Sequence, residues 1–216
     1  MYRYLIALSL LAACGNDAAT TDNDLDSGAH PSHDMHANTY MDDAMAQTAP
    51  NPMRDMHQAM NTMMDSMHTY QPTGDADRDF AYLMRKHHQS AVEMAQAEIS
   101  GGTDSSLVQL ARTIVRDQQA EMNLFDATLQ RPTASGKSAY GRKAMGMMSA
   151  MDKMEGGSVD HMFASMMIPH HKDGVKMANA YLKEGSDAGL MEVARNIVQT
   201  QPQEIKQLQQ WLKAHR

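Results

Sequence analysis

Apolar side chains recur at intervals of three and four residues along four long stretches of the chain. This interval matches the turn of an α-helix with one buried face. No stretch alternates with a period of two, so nothing indicates a strand. The pattern therefore predicts an all-α protein, with helices over Asp75 to Ile99, from Thr103 or Asp104 past Phe125, over Ser158 to about Lys183, and over Asp187 to Ala214.

Short turns join these helices in pairs. Asp75 or Asp77 is suited to cap the first helix, and the Ser100-Gly101-Gly102 sequence is suited to end it. Two long helices joined by such a turn form an antiparallel hairpin, and two docked hairpins form a four-helix bundle. We expect the halves to cover residues 53–130 and 140–216.

The second pair repeats the first without a gap, 83 residues later. Phe80 to Ala95 is matched by Phe163 to Ala178, and the similarity continues to Phe125. The period is too long for a solenoid repeat, so it indicates a duplication. Each half then supplies one helix that carries a His-His doublet.

A methionine-rich helix is predicted before each hairpin. The first, from Asn51 to Tyr70, places Met56, Met60, Met63 and Met67 on one stripe, and the second runs from about Tyr140 to Glu155. A methionine stripe is usually core packing, although the first helix contains no Leu, Ile or Val. The second helix carries Met145, Met147, Met148, Met151 and Met154.

Composition changes the picture from a plain bundle to a metal-binding one. The 216 residues include 23 Met, 11 His and a single Cys, and the formal net charge is −7. A nucleic-acid binder would normally show a basic stripe, which this balance argues against. Thioethers select reduced copper and imidazoles also suit copper, so copper is the metal ion that this composition favours.

The His-His doublets are the predicted metal sites. On a helix, a methionine three or four residues before a doublet lies one turn from it, and one of two adjacent histidines faces the bundle axis while the other reaches a neighbouring helix. We expect that neighbour to offer Gln118 or Glu121, and Gln201 or Glu204. The candidate ligands are Met84, His87, His88, Met94, Met167, His170, His171 and Met177.

Three further features bear on these sites. Ala91 and Gly174 are small residues on the same stripe, which leaves room for a ligand or for a closely packed helix. Pro169 is expected to kink its helix just before His170. The alternative interpretation of the doublets is structural, with each inward histidine hydrogen-bonded to an amide or a carboxylate across the interface.

The N-terminus has the form of an export signal, with a basic start and an apolar run too short to span a membrane. Leu11-Ala12-Ala13-Cys14 resembles the bacterial lipobox, which implies cleavage before Cys14 and lipidation of its thiol. The alternative is an ordinary secretory signal cut nearby. Both place the mature protein outside the cytoplasm, facing the periplasm or the cell exterior, and the first anchors it to the membrane.

Residues 15–52 are predicted to be a disordered tether, because the segment has almost no branched apolar side chain to bury. Short His-rich tracts can bind metal, so a weak capture site is an open alternative to a plain linker. Its side chains would be His30, His33, Met35, His36, Met41 and Met45.

The paired patterns, with Met167-Ile-Pro-His-His171, resemble the domain of unknown function 305 family of exported, Met- and His-rich bacterial proteins. The resemblance covers roughly Asp75 to the C-terminus. It implies a ferritin-like helical bundle, and copper binding and resistance as in some members.

The leading hypothesis is an extracytoplasmic protein that sequesters or transfers copper, mainly Cu(I), with Ag(I) as a second cargo. A copper-transfer partner and a homo-oligomer both stay open. A ferritin-like metal-dependent oxidase is a second hypothesis, but the Glu-x-x-His motif of di-iron bundles is missing at the doublets, so we expect no enzyme. A methionine-rich protein-interaction module is the third.

Overall fold

The computed structural model describes residues 50–134, 136–149 and 157–215, and these residues belong to one unit that runs from Ala49 to Arg216. Within these ranges the chain forms six α-helices and no strand, which confirms the all-α prediction. The helices are α1 (Pro52–His68), α2 (Ala76–Gly101), α3 (Ser105–Leu129), α4 (Tyr140–Met145), α5 (Val159–Tyr181) and α6 (Ala188–Ala214).

Side-chain caps fix the starts of the long helices. Asp75, Asp104 and Asp187 each accept hydrogen bonds from backbone N–H groups in the first turn of α2, α3 and α6, and Ser158 does the same for α5. Such caps satisfy N–H groups that have no partner inside the helix. Asn51 caps α1, which begins at Pro52, where a missing N–H costs nothing.

The long helix α2 lies at the centre of the packing. It contacts α1, α3, α4 and α5, while α6 packs mainly on α5. The two helices that carry the His-His doublets, α2 and α5, are therefore in contact with each other. The contact between α3 and α6 is small. Phe80, Phe125, Tyr140 and Tyr181 are fully buried, and the Phe80 and Tyr181 rings stack at a centroid distance of 3.9 Å. This aromatic group joins α2, α3, α4 and α5 at one end of the core.

The methionine stripe of α1 is part of the core. Met56, Met60, Met63 and Met67 are at most 4% exposed, and α1 packs along α2 with a small contact to α5. Met53 and Met64 are partly buried against the same cluster. The flexible thioethers fill the space that branched side chains occupy in most helix interfaces.

The second methionine helix is shorter than predicted. α4 ends at Met145 rather than continuing toward Glu155, because Gly146 closes the last turn and Ser149 is held by α5. The Ser149 N–H donates to Asp173 Oδ2 at 2.6 Å, and its hydroxyl donates to Asp173 Oδ1 at 3.0 Å. Met147 and Met148 are therefore not helical, and Met151 and Met154 lie outside the described residues.

Two aspartates tie the first turn of each doublet helix to the opposite pair of helices. Asp77, in α2, accepts hydrogen bonds from Ser186 N at 2.8 Å and from Tyr181 Oη at 2.5 Å. Asp160, in α5, accepts from Thr103 N and Thr103 Oγ1, both at 2.9 Å. Asp77 is thus not the cap of its own helix. It fixes the turn between α5 and α6, as Asp160 fixes the turn between α2 and α3.

None of the helices in the described ranges is long and apolar enough to cross a membrane. The predicted lipidation site Cys14 and the candidate capture residues of the tether, from His30 to Met45, lie outside the described residues.

Candidate metal centre

The two His-His doublets meet at the contact between α2 and α5. His87, His88, His170 and His171 are all at most 1% exposed. The His87 and His170 rings lie 3.7 Å apart between centroids, tilted by 31°. His87 Nε2 lies 2.9 Å from the His170 carbonyl oxygen. Since a carbonyl oxygen only accepts, Nε2 carries the proton in the neutral ring, and the lone pair is on Nδ1.

One histidine of each doublet was expected to reach a neighbouring helix, and in the structure it is the second. His88 Nε2 lies 2.6 Å from Glu121 Oε2 on α3, and His171 Nε2 lies 2.8 Å from Glu204 Oε2 on α6. The first contact is a well-formed hydrogen bond, whereas the second is close in distance but poorly aligned. A carboxylate on one ring nitrogen orients the imidazole and leaves the other nitrogen for a metal.

Five imidazole nitrogens in this cluster have no hydrogen-bond partner among the described residues. A sixth, His171 Nε2, has only the poorly aligned contact with Glu204. Leaving a buried polar atom unpaired costs about 1–3 kcal/mol, and native proteins rarely do so. A purely structural role would have paired most of these atoms. The unpaired nitrogens are Nδ1 of His87, His88, His170 and His171, and Nε2 of His170.

The electrostatics of the site keep its inner histidines neutral. Burial lowers the pKa of His87 well below 6.5, and the nearby His88 and His171 lower it further, against the opposing effect of the hydrogen bond to His170. Burial likewise lowers the pKa of His170, with His87, His171 and His88 adding to the shift. A neutral imidazole is the form that binds a metal ion.

Sulfur is the other ligand type in the core around the doublets. Met84, Met94, Met167 and Met177 are fully buried. Within the described residues, no group of three or more His, Cys, Asp or Glu side chains is placed to hold a metal ion. Thioether ligands in addition to imidazole would give a metal held at the doublets a soft ligand set.

Gly174 provides close packing rather than an empty space. A Cβ atom there would lie 2.8 Å from Gln201 Oε1 and 2.9 Å from His87 Cε1. The His87 ring and the Gln201 amide thus occupy the room that the small residue creates. Pro169 lies inside α5, which continues unbroken from Val159 to Tyr181; the kink expected before His170 stays a prediction.

Helical periodicity does not predict two features near the site. One is the contact of His87 with the backbone of His170, which helical periodicity cannot show because it joins two helices. The other is that Gln118 and Gln201, expected as hydrogen-bond partners of the histidines, keep unpaired Oε1 atoms in the described structure. Their 83-residue spacing was the only available signal.

The family profile described as a domain of unknown function (DUF305) matches residues 11–129 and 127–212. The chain belongs to the DUF305 family. The match extends over both predicted halves and so confirms the resemblance seen in the doublet motifs. Among curated proteins, none matches the chain.

Solved structures of CopM are similar to this DUF305 protein. The Cu(II)-bound form of CopM has a TM-score of 0.54 and 30% identity, over 65% of this chain and 97% of that one. The Cu(I)-bound form has a TM-score of 0.52 and 29% identity, over 64% and 96%. The Ag-bound form obtained by soaking has a TM-score of 0.51 and 28% identity, over the same shares.

Proposed function

We propose that this protein binds copper outside the cytoplasm, mainly as Cu(I), and sequesters it or transfers it in copper tolerance or homeostasis. The observation that carries the proposal is the set of buried, unpaired imidazole nitrogens on His87 and His170 inside a core rich in methionine. The similarity to CopM, solved with Cu(I), Cu(II) and Ag bound, supports it.

Each proposed ligand follows from its position. His87 Nδ1 and one ring nitrogen of the neutral His170 offer lone pairs at the α2–α5 contact. His88 and His171 offer Nδ1, with their Nε2 atoms facing Glu121 and Glu204. Thioethers complete the set and favour Cu(I), with Ag(I) as a second cargo of the same softness. The proposed thioether ligands are Met84, Met94, Met167 and Met177.

The cellular setting is also part of the proposal. Export followed by lipidation of Cys14 would hold the protein on a membrane facing the periplasm or the cell exterior, with residues 15–52 as the tether. We take the bundle to be ferritin-like and built from two duplicated hairpins, and its role to be binding rather than catalysis. A second protein that receives the copper, or a homo-oligomer, would complete the function.

Cu(I) stoichiometry and affinity test this proposal. The full chain is titrated under reducing conditions in competition with a coloured Cu(I) chelator, beside a variant in which His87, His88, His170 and His171 are changed to Ala. Tight binding that weakens in the variant places the metal in the bundle. Tight binding that is unchanged would move it to the α1 stripe or the tether, and an absence of binding would return the doublets to a structural role.

A further inference from the structure

The contact between α3 and α6 is open and forms a groove of about 410 Å³. Both helices contribute the same positions of the repeat to its lining, so the groove has side chains in pairs. The glutamines at its floor are almost completely buried, with Gln118 4% and Gln201 3% exposed. The paired lining residues are Ile114 with Ile197, Gln118 with Gln201, and Glu121 with Glu204.

The glutamines at the floor of this groove have fully buried amide oxygens that lack a partner in the described structure. Neither Gln118 Oε1 nor Gln201 Oε1 receives a hydrogen bond from any described residue. Buried carbonyl oxygens are nearly always paired with a donor, with water or with an ion. Two unpaired oxygens at equivalent positions of the repeat leave two acceptors for an incoming cation, and amide oxygens are cation ligands that bind a soft ion such as Cu(I) only weakly.

The charge of the groove also favours a cation. Asp117, Glu121 and Glu204 line it, and no Lys or Arg is among its described lining residues. Asp117 lies at the rim, where its Oδ1 atom is 2.7 Å from Nε of the exposed Arg116. A cleft lined by one sign of charge concentrates ions of the opposite sign.

The groove leads directly to the histidines. Glu121 and Glu204 contact His88 and His171 through their Oε2 atoms. The Gln201 amide oxygen and the His87 ring both lie within 3 Å of the point where a Cβ atom on Gly174 would be, so this amide is placed between the groove and His87.

We propose that this groove is the entrance through which a metal ion reaches the buried histidines, and that the amide oxygens of Gln118 and Gln201 replace its water ligands on the way. The inference rests on the proposed function, because it takes copper binding at the doublets as its destination. Glu121 and Glu204 attract the ion, and the amides hold it for the exchange onto imidazole and thioether. The two amides determine how fast the metal enters rather than how tightly it is held.

The rate of Cu(I) capture tests this. The full chain is mixed with less than one equivalent of Cu(I) as a weak acetonitrile complex, and a coloured chelator added after varied delays reports the Cu(I) still unbound. The test variant is Gln118→Leu with Gln201→Leu. The control is Gln109→Leu with Gln207→Leu, which makes the same exchange at exposed positions of α3 and α6. The variant in which His87, His88, His170 and His171 are changed to Ala measures the rate of Cu(I) capture by other parts of the protein.

The double variant at the groove is expected to capture Cu(I) at least about tenfold more slowly than the wild type, with an unchanged equilibrium affinity. The control variant is expected to capture it at the wild-type rate. A wild-type rate in the groove variant overturns the entrance while leaving copper binding intact. Wild-type capture that does not depend on the four histidines overturns the copper site at the doublets and the entrance together, so the two failures are distinguishable.

A second measurement covers the case in which the groove variant does not fold. Asp117→Asn removes a charge at the rim of the groove, and Glu192→Gln removes an exposed charge near the start of α6. Both lower the net negative charge by one unit. The entrance requires slower capture and a weaker ionic-strength dependence in Asp117→Asn than in Glu192→Gln. Equal rates in the two variants would overturn it.

Discussion

The carboxyl group of Glu98 lies in contact with that of Asp160, at the position where the other half of the protein has Tyr181 in contact with Asp77. Tyr181 Oη donates a hydrogen bond to Asp77 at 2.5 Å. Glu98 can do the same for Asp160 only when it is protonated, and Asp160 already accepts from the turn at Thr103. A carboxylic acid thus replaces a phenol in one of two equivalent contacts.

The stability of the protein is therefore expected to fall as the pH rises toward 8. Burial, the charge of Asp160, the hydrogen bond to Asp160 and the charge of Asp104 raise the pKa of Glu98 from 4.5 to about 8. Because the folded-state pKa is raised, the stabilisation is complete below about 4.5 and is lost as the pH rises through 8. Urea unfolding between pH 6.5 and 8 isolates this effect, since the lowered pKa values of His87 and His170 act below 6.5.

Glu98→Gln is the matching variant, because its amide donates at every pH. It should flatten the pH dependence between 6.5 and 8 and be more stable than the wild type at pH 9 by about 1–3 kcal/mol. Tyr181→Phe removes the equivalent donor in the other half and should cost about 1 kcal/mol equally across this range. A slope that survives in Glu98→Gln would assign it to another group.

The starts of the helices and the direction of the outer histidines could be predicted from sequence. Asp75, Asp104 and Asp187 act through backbone atoms two or three residues away, which local sequence encodes. Helical periodicity predicts that one histidine of each doublet reaches a neighbouring helix, and it limits the partner in the first half to Gln118 or Glu121. The structure selects His88 and Glu121.

Contacts that depend on the approach of distant segments could not be predicted. The end of α4 at Met145 is set by Ser149 binding to Asp173 on another helix, and nothing in the methionine spacing shows that competition. The substitution of Glu98 for Tyr181 lies at a position where the repeat is not identical. A comparison of the two halves that looks for identical residues therefore misses the position at which their chemistry differs.

Methionine ligands at the doublets can be separated from methionines that only fill space. Met84→Leu with Met167→Leu should reduce Cu(I) affinity about tenfold or more, or about 1.4 kcal/mol, because leucine has no donor atom. The apo protein should lose less than about 1.5 kcal/mol of stability, since the exchange nearly conserves volume. Met56→Leu with Met60→Leu in the α1 stripe is the control. Equal losses of affinity in both pairs would place the copper elsewhere.

Gly174 is expected to tolerate no side chain. Gly174→Ala puts a Cβ atom 2.9 Å from His87 Cε1, and the His87 ring also packs against the His170 ring, at 3.7 Å between centroids. Thermal and urea unfolding should show a loss of about 1–3 kcal/mol. Gly189→Ala in α6 is the control, because its closest neighbour is a Leu124 methyl carbon at 3.2 Å, which can move. An unchanged stability in Gly174→Ala would mean that the doublet helices can separate freely.

The two outer histidines are expected to respond unequally to the loss of their carboxylates. His88 and Glu121 form a well-aligned bond at 2.6 Å, whereas His171 and Glu204 are 2.8 Å apart and poorly aligned. Glu121→Gln should therefore cost about 1.5–3 kcal/mol of apo stability, the usual value of a bond to a charged group, and Glu204→Gln should cost less.

Cu(I) affinity gives an independent reading of the same pair of variants. If the carboxylates orient His88 and His171 as outer-shell partners, each change should weaken binding by about 10–100-fold, even where apo stability is nearly unaffected. Urea unfolding of the apo protein and chelator competition together separate the two effects. Equal stability losses would contradict the difference in alignment, and unchanged affinities in both variants would mean that His88 and His171 serve the fold and not the metal.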